Sequence, residues 1–148
     1  MAVTKDQKER PLILLIENNE SDVFLFRRAL SKLNYAGDVR VVGSVSEARS
    51  FVENTGAHRD TAYFRTPQLI VSDFRLNGPT ALEFIRWLRR ESECPALPVV
   101  ILSGAVQAED IPQLLEAGAD DVVMKTPDVQ ELAARLKDLL PAVQQCRP

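Results

Sequence analysis

Leu69-Ile70-Val71-Ser72-Asp73-Phe74-Arg75-Leu76-Asn77-Gly78-Pro79 reads as a buried strand that ends on a carboxylate and opens into a turn-rich loop. An unbroken apolar run suits a strand covered on both faces. A carboxylate at the point where such a strand opens into a loop is where α/β proteins place chemistry. Three other apolar runs end the same way: Leu12–Ile16 before Glu17 and Asn18, residues 99–102 before Ser103, and residues 122–124 before Lys125. The four ends together read as one site.

Strand-like and helix-like segments alternate outward from this stretch along the whole chain, the pattern of βαβ units and a parallel sheet. After the first strand, residues 21–33 carry Val23, Phe26, Leu30 and Leu33 at helical spacing. Asp38–Val42 is a second strand, and Ser44 with Glu47 forms a capping box opening a helix to about residue 54. The third strand covers 68–72. A helix from 80 to about 91 follows, with Ala81, Phe84, Ile85 and Leu88 inward and Trp87 read as amphipathic packing. The fourth strand covers 97–102, and the helix 107–117 stops at Gly118, a C′ residue. The fifth strand covers 121–124. The last helix is expected from Pro127 to about Leu140, with Val129, Leu132, Ala133, Leu136 and Leu140 inward and Thr126 as its N-cap. The Lys125-Thr126 peptide is expected to be trans, since cis costs about 2.5–4 kcal/mol before a non-proline residue. Right-handed crossovers make the sheet open and doubly wound, with a ligand crevice at the C-terminal strand ends.

The 148 residues bound this to one domain at 11–141 between a polar tail at 1–10 and a short tail at 142–148. Apolar content of 45% and charge of 26% are ordinary for a globular protein, and the net charge of -3 argues against a nucleic-acid surface. The first ten residues lack an apolar stretch, so neither a secretory signal nor a membrane span is read and a cytoplasmic location is expected. Cys94 and Cys146 lack metal-ligand spacing and read as free thiols, and His58, the single histidine, reads as an ordinary surface residue.

Taken singly, the site residues have plain alternatives. Asp73 could be a helix-approach carboxylate, Glu17 a solvated turn residue, Lys125 a surface lysine, and Ser103 a partner for loop backbone. As a set they carry a resemblance. Ile-Glu-Asn-Asn at 16–19, Val-Ser-Asp-Phe-Arg-Leu-Asn-Gly at 71–78, Ile-Leu-Ser-Gly-Ala at 101–105 and Asp-Asp-Val-Val-Met-Lys at 120–125 resemble the receiver domain of two-component response regulators over roughly residues 12–140. The resemblance implies a flavodoxin-like (βα)5 fold with a five-stranded parallel sheet in order 2-1-3-4-5. It also implies a phosphoacceptor aspartate served by a sensor histidine kinase or phosphotransfer protein, with no enzymatic turnover of its own.

By the same resemblance Asp73 is the phosphoacceptor. A Mg2+ ion is held by Asp73, the backbone carbonyl of Arg75 and the position of Asn18, with Glu17 acting through a metal-bound water. Lys125 and Ser103 contact the phosphoryl group. The chemistry suits these types, because transfer to a weak carboxylate nucleophile depends on positioning and on neutralising charge.

Departures from the pattern carry their own implications. Asn18 stands where an acid is usual, implying weak Mg2+ affinity. Val122 occupies the position of the switch aromatic, and Thr126 intervenes before Pro127. The connection at 54–67, with Arg59, Tyr63, Phe64 and Arg65, resembles the longer loop of single-domain receivers associated with phytochrome-type kinases.

Three functions stay open: a standalone phosphoacceptor receiver, for which the eight residues after Leu140 leave no output domain and a homodimer is possible; a degenerate receiver acting as a phosphorylation-independent interaction module; and an α/β enzyme or flavin carrier. The last lacks a Ser/Thr/Gly-rich phosphate loop at 17–21 and has Arg75 where a phosphatase would place its second acid.

Overall fold

The computed structural model describes residues 10–55, 65–75, 80–104 and 106–145, with the backbone alone at 141–145. The expectations for His58, Cys146, residues 1–9 and 146–148 of the two outer tails, most of the connection at 54–67 and the loop at 76–79 lie outside the described residues, while 142–145 of the expected C-terminal tail belong to the last helix. In chain order the elements are β1 (Leu12–Ile16), α1 (Glu20–Lys32), β2 (Asp38–Val42), α2 (Val45–Glu53), β3 (Leu69–Ser72), α3 (Ala81–Arg90), β4 (Val99–Ser103), α4 (Asp110–Ala117), β5 (Asp121–Met124) and α5 (Val129–Gln145). The strands form one parallel sheet in the order β2-β1-β3-β4-β5, as the resemblance implies.

The continuous apolar runs are explained by two cores, one on each face. Along β1, Leu12, Leu14 and Ile16 pack with α2, α3 and Leu114 of α4, while Ile13 and Leu15 pack with Phe26, Ala29 and Leu30 of α1 and Leu132, Ala133 and Leu136 of α5. Side chains alternate across a strand, so an all-apolar strand must be covered twice. The inward residues expected on α3 are all buried. Trp87 is buried beside them, with the Arg49 guanidinium 4.8 Å above its ring, so it packs as expected of an amphipathic helix.

Caps fix where helices begin. Ser44 accepts from Glu47 N at 3.1 Å, and Glu47 Oε2 accepts from Gly43 N, one residue before the expected partner. The predicted start of α4 at Gln107 is corrected to Asp110. Residues 107–110 form a turn closed by Asp110 Oδ2 on Gln107 N at 2.9 Å, which places Pro112 in the first helical turn where its missing N–H needs no partner. The predicted start of α5 at Pro127 is likewise corrected to Val129. Asp128 Oδ1 accepts from Gln130 N at 2.9 Å and Glu131 N at 3.3 Å, so a carboxylate takes the cap assigned to Thr126. Thr126 supports it by accepting from Asp128 N at 3.2 Å. The Lys125-Thr126 peptide is trans, as expected. Helix α5 continues to Gln145, past the predicted end near Leu140, although Pro141 has no N–H to give the ladder.

Two arginines staple the connections. Arg65 is buried and donates to Asp38, which also pairs with Arg10 at 3.1 Å, and to the Arg10 carbonyl at 3.1 Å. Arg89 donates to the carbonyls of Pro95, Leu97 and Gly118 and to Asp120. Gly118 is the predicted α4 stop, with φ of 123°, and a Cβ there would lie 2.8 Å from the Arg89 side chain. Removing Arg89 orphans several carbonyls at once, so Arg89→Met should lower unfolding stability by about 2 kcal/mol. Urea unfolding measures this, and an unchanged midpoint would show that water replaces those bonds.

Candidate functional site

The sheet hydrogen bonds that end the strands also place the site. Glu17 N donates to Val42 O at 2.9 Å, Asp73 N to Ile16 O at 3.0 Å, and Lys125 N to Ser103 O at 3.1 Å. These three residues therefore leave their strands just past the last ladder pair, where register is still enforced, while Ser103 is the last residue of β4 itself. Ile16 is opposite Ser72, and Ser103 is opposite Met124.

Lys125 joins the side chains. Its Nζ lies 2.7 Å from Glu17 Oε1 and 3.4 Å from Asp73 Oδ1. A second 2.7 Å bond runs to Asp22 Oδ2 on the first turn of α1, a residue that sequence reading did not single out. Its signal was present in the alternation of acids through Glu17-Asn18-Asn19-Glu20-Ser21-Asp22, but no periodicity distinguishes a first-turn acid that favours the helix dipole from one that bonds a lysine. Asn19 holds α1 in place as its N-cap, accepting from Asp22 N at 3.0 Å, while Asn19 N donates to Glu17 Oε2 at 3.2 Å. Phe74 N donates to Asp73 Oδ1 at 2.9 Å, the oxygen that also faces Lys125.

The remaining expected residues lie along the same rim. Ser103 is 1% exposed at the last residue of β4, Asn18 and Arg75 are exposed, and Val122 is half-buried in β5 opposite Ile101. A cavity of about 200 Å³ is lined by Leu15, Leu25, Phe26 and Leu132 together with Glu17, Asp22, Asp73 and Lys125.

Burial of Glu17, at 5% exposure, pushes its carboxyl above the usual range against the opposing pull of Lys125. Burial alone would lower Lys125, but its bonds to Asp22 and Glu17 and the nearby Asp73 charge outweigh that and hold its ammonium above the ordinary value.

The oxygen donors at this rim are the Glu17 and Asp73 carboxylates, the Asn18 amide and the Arg75 main-chain carbonyl. All are hard ligands. Among the described residues no three His, Cys, Asp or Glu side chains converge as a metal cage. The set fits Mg2+, which binds through one or two carboxylates and keeps several waters.

Replacing Lys125 by methionine leaves the buried Glu17 carboxylate without its ammonium, and breaking such a half-buried pair should cost about 1–3 kcal/mol at neutral pH. Glu17 titrates above its ordinary value of 4.5 in the folded state, so its contribution is fully present below that value and is lost as pH rises through the folded value. The deficit of Lys125→Met relative to the wild type should therefore be largest at neutral pH and shrink on acidification. Urea unfolding at a series of pH values, without divalent ions, measures this. A pH-independent deficit would assign it to packing.

The chain matches the response regulator receiver domain over residues 13–137. The KDP operon transcriptional regulatory protein KdpE of Escherichia coli (strain K12) is 34% identical over 126 residues, covering 84% of this chain and 49% of KdpE. The phosphate regulon transcriptional regulatory protein PhoB of the same organism is 40% identical over 74 residues, 50% of this chain and 32% of PhoB. The chain thus spans half or less of the length of these curated relatives. The phosphorylated cyanobacterial phytochrome response regulator RcpA has the same fold, with a TM-score of 0.77 at 21% identity over 94% of this chain and 97% of RcpA. The Mn(2+)-bound form of response regulator Rcp1 gives 0.72 at 19% identity, over 87% and 91%. No helix among the described residues is long and apolar enough to cross a membrane. Because the family match runs from the first strand into the last helix and takes in every strand end described above, the chain belongs to the receiver-domain family of two-component response regulators.

Proposed function

We propose that Asp73 accepts a phosphoryl group from a phosphohistidine on a sensor kinase or phosphotransfer protein, making the chain a stoichiometric phosphoacceptor and not an enzyme that turns over. The observation that carries this reading is the Lys125 ammonium suspended between Glu17 and Asp73 at adjacent strand ends. An Asp73 carboxylate oxygen attacks phosphorus as the phosphorus–nitrogen bond breaks, and the electron pair leaves on the imidazole nitrogen. An acyl phosphate and a free histidine result. Lys125 neutralises charge gathering on the phosphoryl oxygens, and the Ser103 hydroxyl supplies a rotatable donor to one of them. Phe74 N holds one Asp73 oxygen at 2.9 Å and leaves the other for attack. Glu17, Asn18, Asp73 and the Arg75 carbonyl would hold Mg2+, which supplies the remaining positive charge when bound.

A second reading, an interaction module that works without phosphorylation, is favoured by the neutral Asn18 on the rim and by Val122, which has no ring or hydroxyl to move as a switch. Incubation with acetyl phosphate and Mg2+ followed by intact mass should show the gain of one phosphoryl group, and Asp73→Asn should abolish it. No gain in the wild type, together with no beryllofluoride response by NMR, selects the interaction module.

Metal affinity gives an independent measure. Asn18→Asp restores a negative charge at the rim and should tighten Mg2+ about tenfold, equivalent to ~1.4 kcal/mol. Equal affinities by calorimetric titration would show that Asn18 does not face the ion.

A further inference from the structure

Lys125 forms its two short bonds, each 2.7 Å, with Glu17 and Asp22, and lies 3.4 Å from Asp73, beyond the usual 2.7–3.2 Å of an N–H···O bond. The ammonium is therefore satisfied away from the carboxylate it would have to serve. Asp22 is placed for this by α1, whose first turn is fixed by the Asn19 cap on Asp22 N at 3.0 Å, and Asn19 N is tied in turn to Glu17 at 3.2 Å. It does not join Glu17 and Asp73 in a metal cage, since no three such side chains converge among the described residues. Asp22 and Asp73 meet the same ammonium, at 2.7 and 3.4 Å, so Asp22 acts on Asp73 by holding Lys125 as well as by its own charge, and the Lys125–Asp73 distance separates the two effects.

We infer that Asp22 is a positioning residue that holds the Lys125 ammonium back from Asp73 in the resting protein and competes with the phosphoryl oxygens for it. The inference rests on the phosphoacceptor reading of Asp73. Phosphorylation would draw Lys125 off Asp22, so the first turn of α1 would lose an ion pair as the acyl phosphate gains one. The charge on Asp22 would thereby set how much of each binding event is spent in releasing the lysine.

The experiment compares wild type, Asp22→Ala, Asp22→Asn and Glu20→Ala. Glu20 is an exposed acid on the same helical turn, and its replacement controls for removal of a nearby charge alone. Beryllofluoride affinity with Mg2+ is read by NMR, and the Lys125–Asp73 distance by crystal structures of the metal-free proteins. Asp22→Ala should bind beryllofluoride about fivefold more tightly, equivalent to ~1 kcal/mol. Asp22→Asn, which keeps a neutral acceptor, should fall between, and Glu20→Ala should match the wild type. In Asp22→Ala the Nζ to Asp73 Oδ1 distance should close from 3.4 Å into hydrogen-bond range. Equal tightening by Glu20→Ala, or a Lys125 that stays beyond hydrogen-bond range of Asp73 in both Asp22 variants, overturns the inference. If no protein, the wild type included, binds beryllofluoride, the phosphoacceptor reading fails, and the inferred restraint on Lys125 is decided by the crystallographic distance alone. Should Asp22→Ala not fold, the Asp22→Asn structure decides it.

Discussion

A parallel strand hydrogen-bonded on both sides and packed on both faces has one place left to meet water, its end. Every other feature of this molecule depends on that constraint. It requires β1, β3 and β4 to be apolar at successive positions, and it divides the interior into a core under α1 and α5 and another under α2, α3 and α4. It also gathers the first polar residue after each strand onto one rim. Glu17, Asp73 and Lys125 are close in space because the ladder bonds of Glu17 N, Asp73 N and Lys125 N extend one residue past the strands they follow.

That gathering sets an electrostatic problem. One ammonium faces three carboxylates at 2.7, 2.7 and 3.4 Å, leaving two negative charges uncompensated among residues that line a cavity with apolar walls. A partly buried cluster of this sign is costly unless a cation or proton relieves it, most of all at Glu17. Burial raises the Glu17 carboxyl, and the charge of Asp73 adds to that rise against the pull of Lys125. Asn18 contributes a neutral amide to the same rim and so adds nothing to that negative charge.

What could be read from sequence follows the same physics. The strands, their order by resemblance and the position of Asp73 were legible because a double-sided core leaves continuous apolar runs with abrupt ends. Ser44 and Glu47 were legible because a capping box is local. Asp128 was passed over for Thr126 because both are good N-caps two residues apart, and only geometry shows which oxygen reaches the Gln130 and Glu131 amides. Asp22 and Arg89 were not legible as functional or structural anchors. Their partners lie 103 residues away for Asp22 and 29 to 31 residues away for Arg89 at Gly118 and Asp120, and no local pattern encodes such contacts. Arg65 is a further case: in sequence it belongs to a loop, yet it is buried against Asp38.

The two anchors flanking the connection at 56–64 have a consequence for how the gene can change. On one side Thr55 is buried and donates its hydroxyl to Val52 O at 2.8 Å, and on the other Arg65 is buried and bound to β2 and to Arg10. The two ends of that span are therefore fastened to the body independently of what lies between them. Loop-closure entropy grows only logarithmically, with a doubling of length costing about 0.6 kcal/mol. Insertions and deletions between these fastenings therefore carry a small entropic cost, because each end is held to the body by its own bonds.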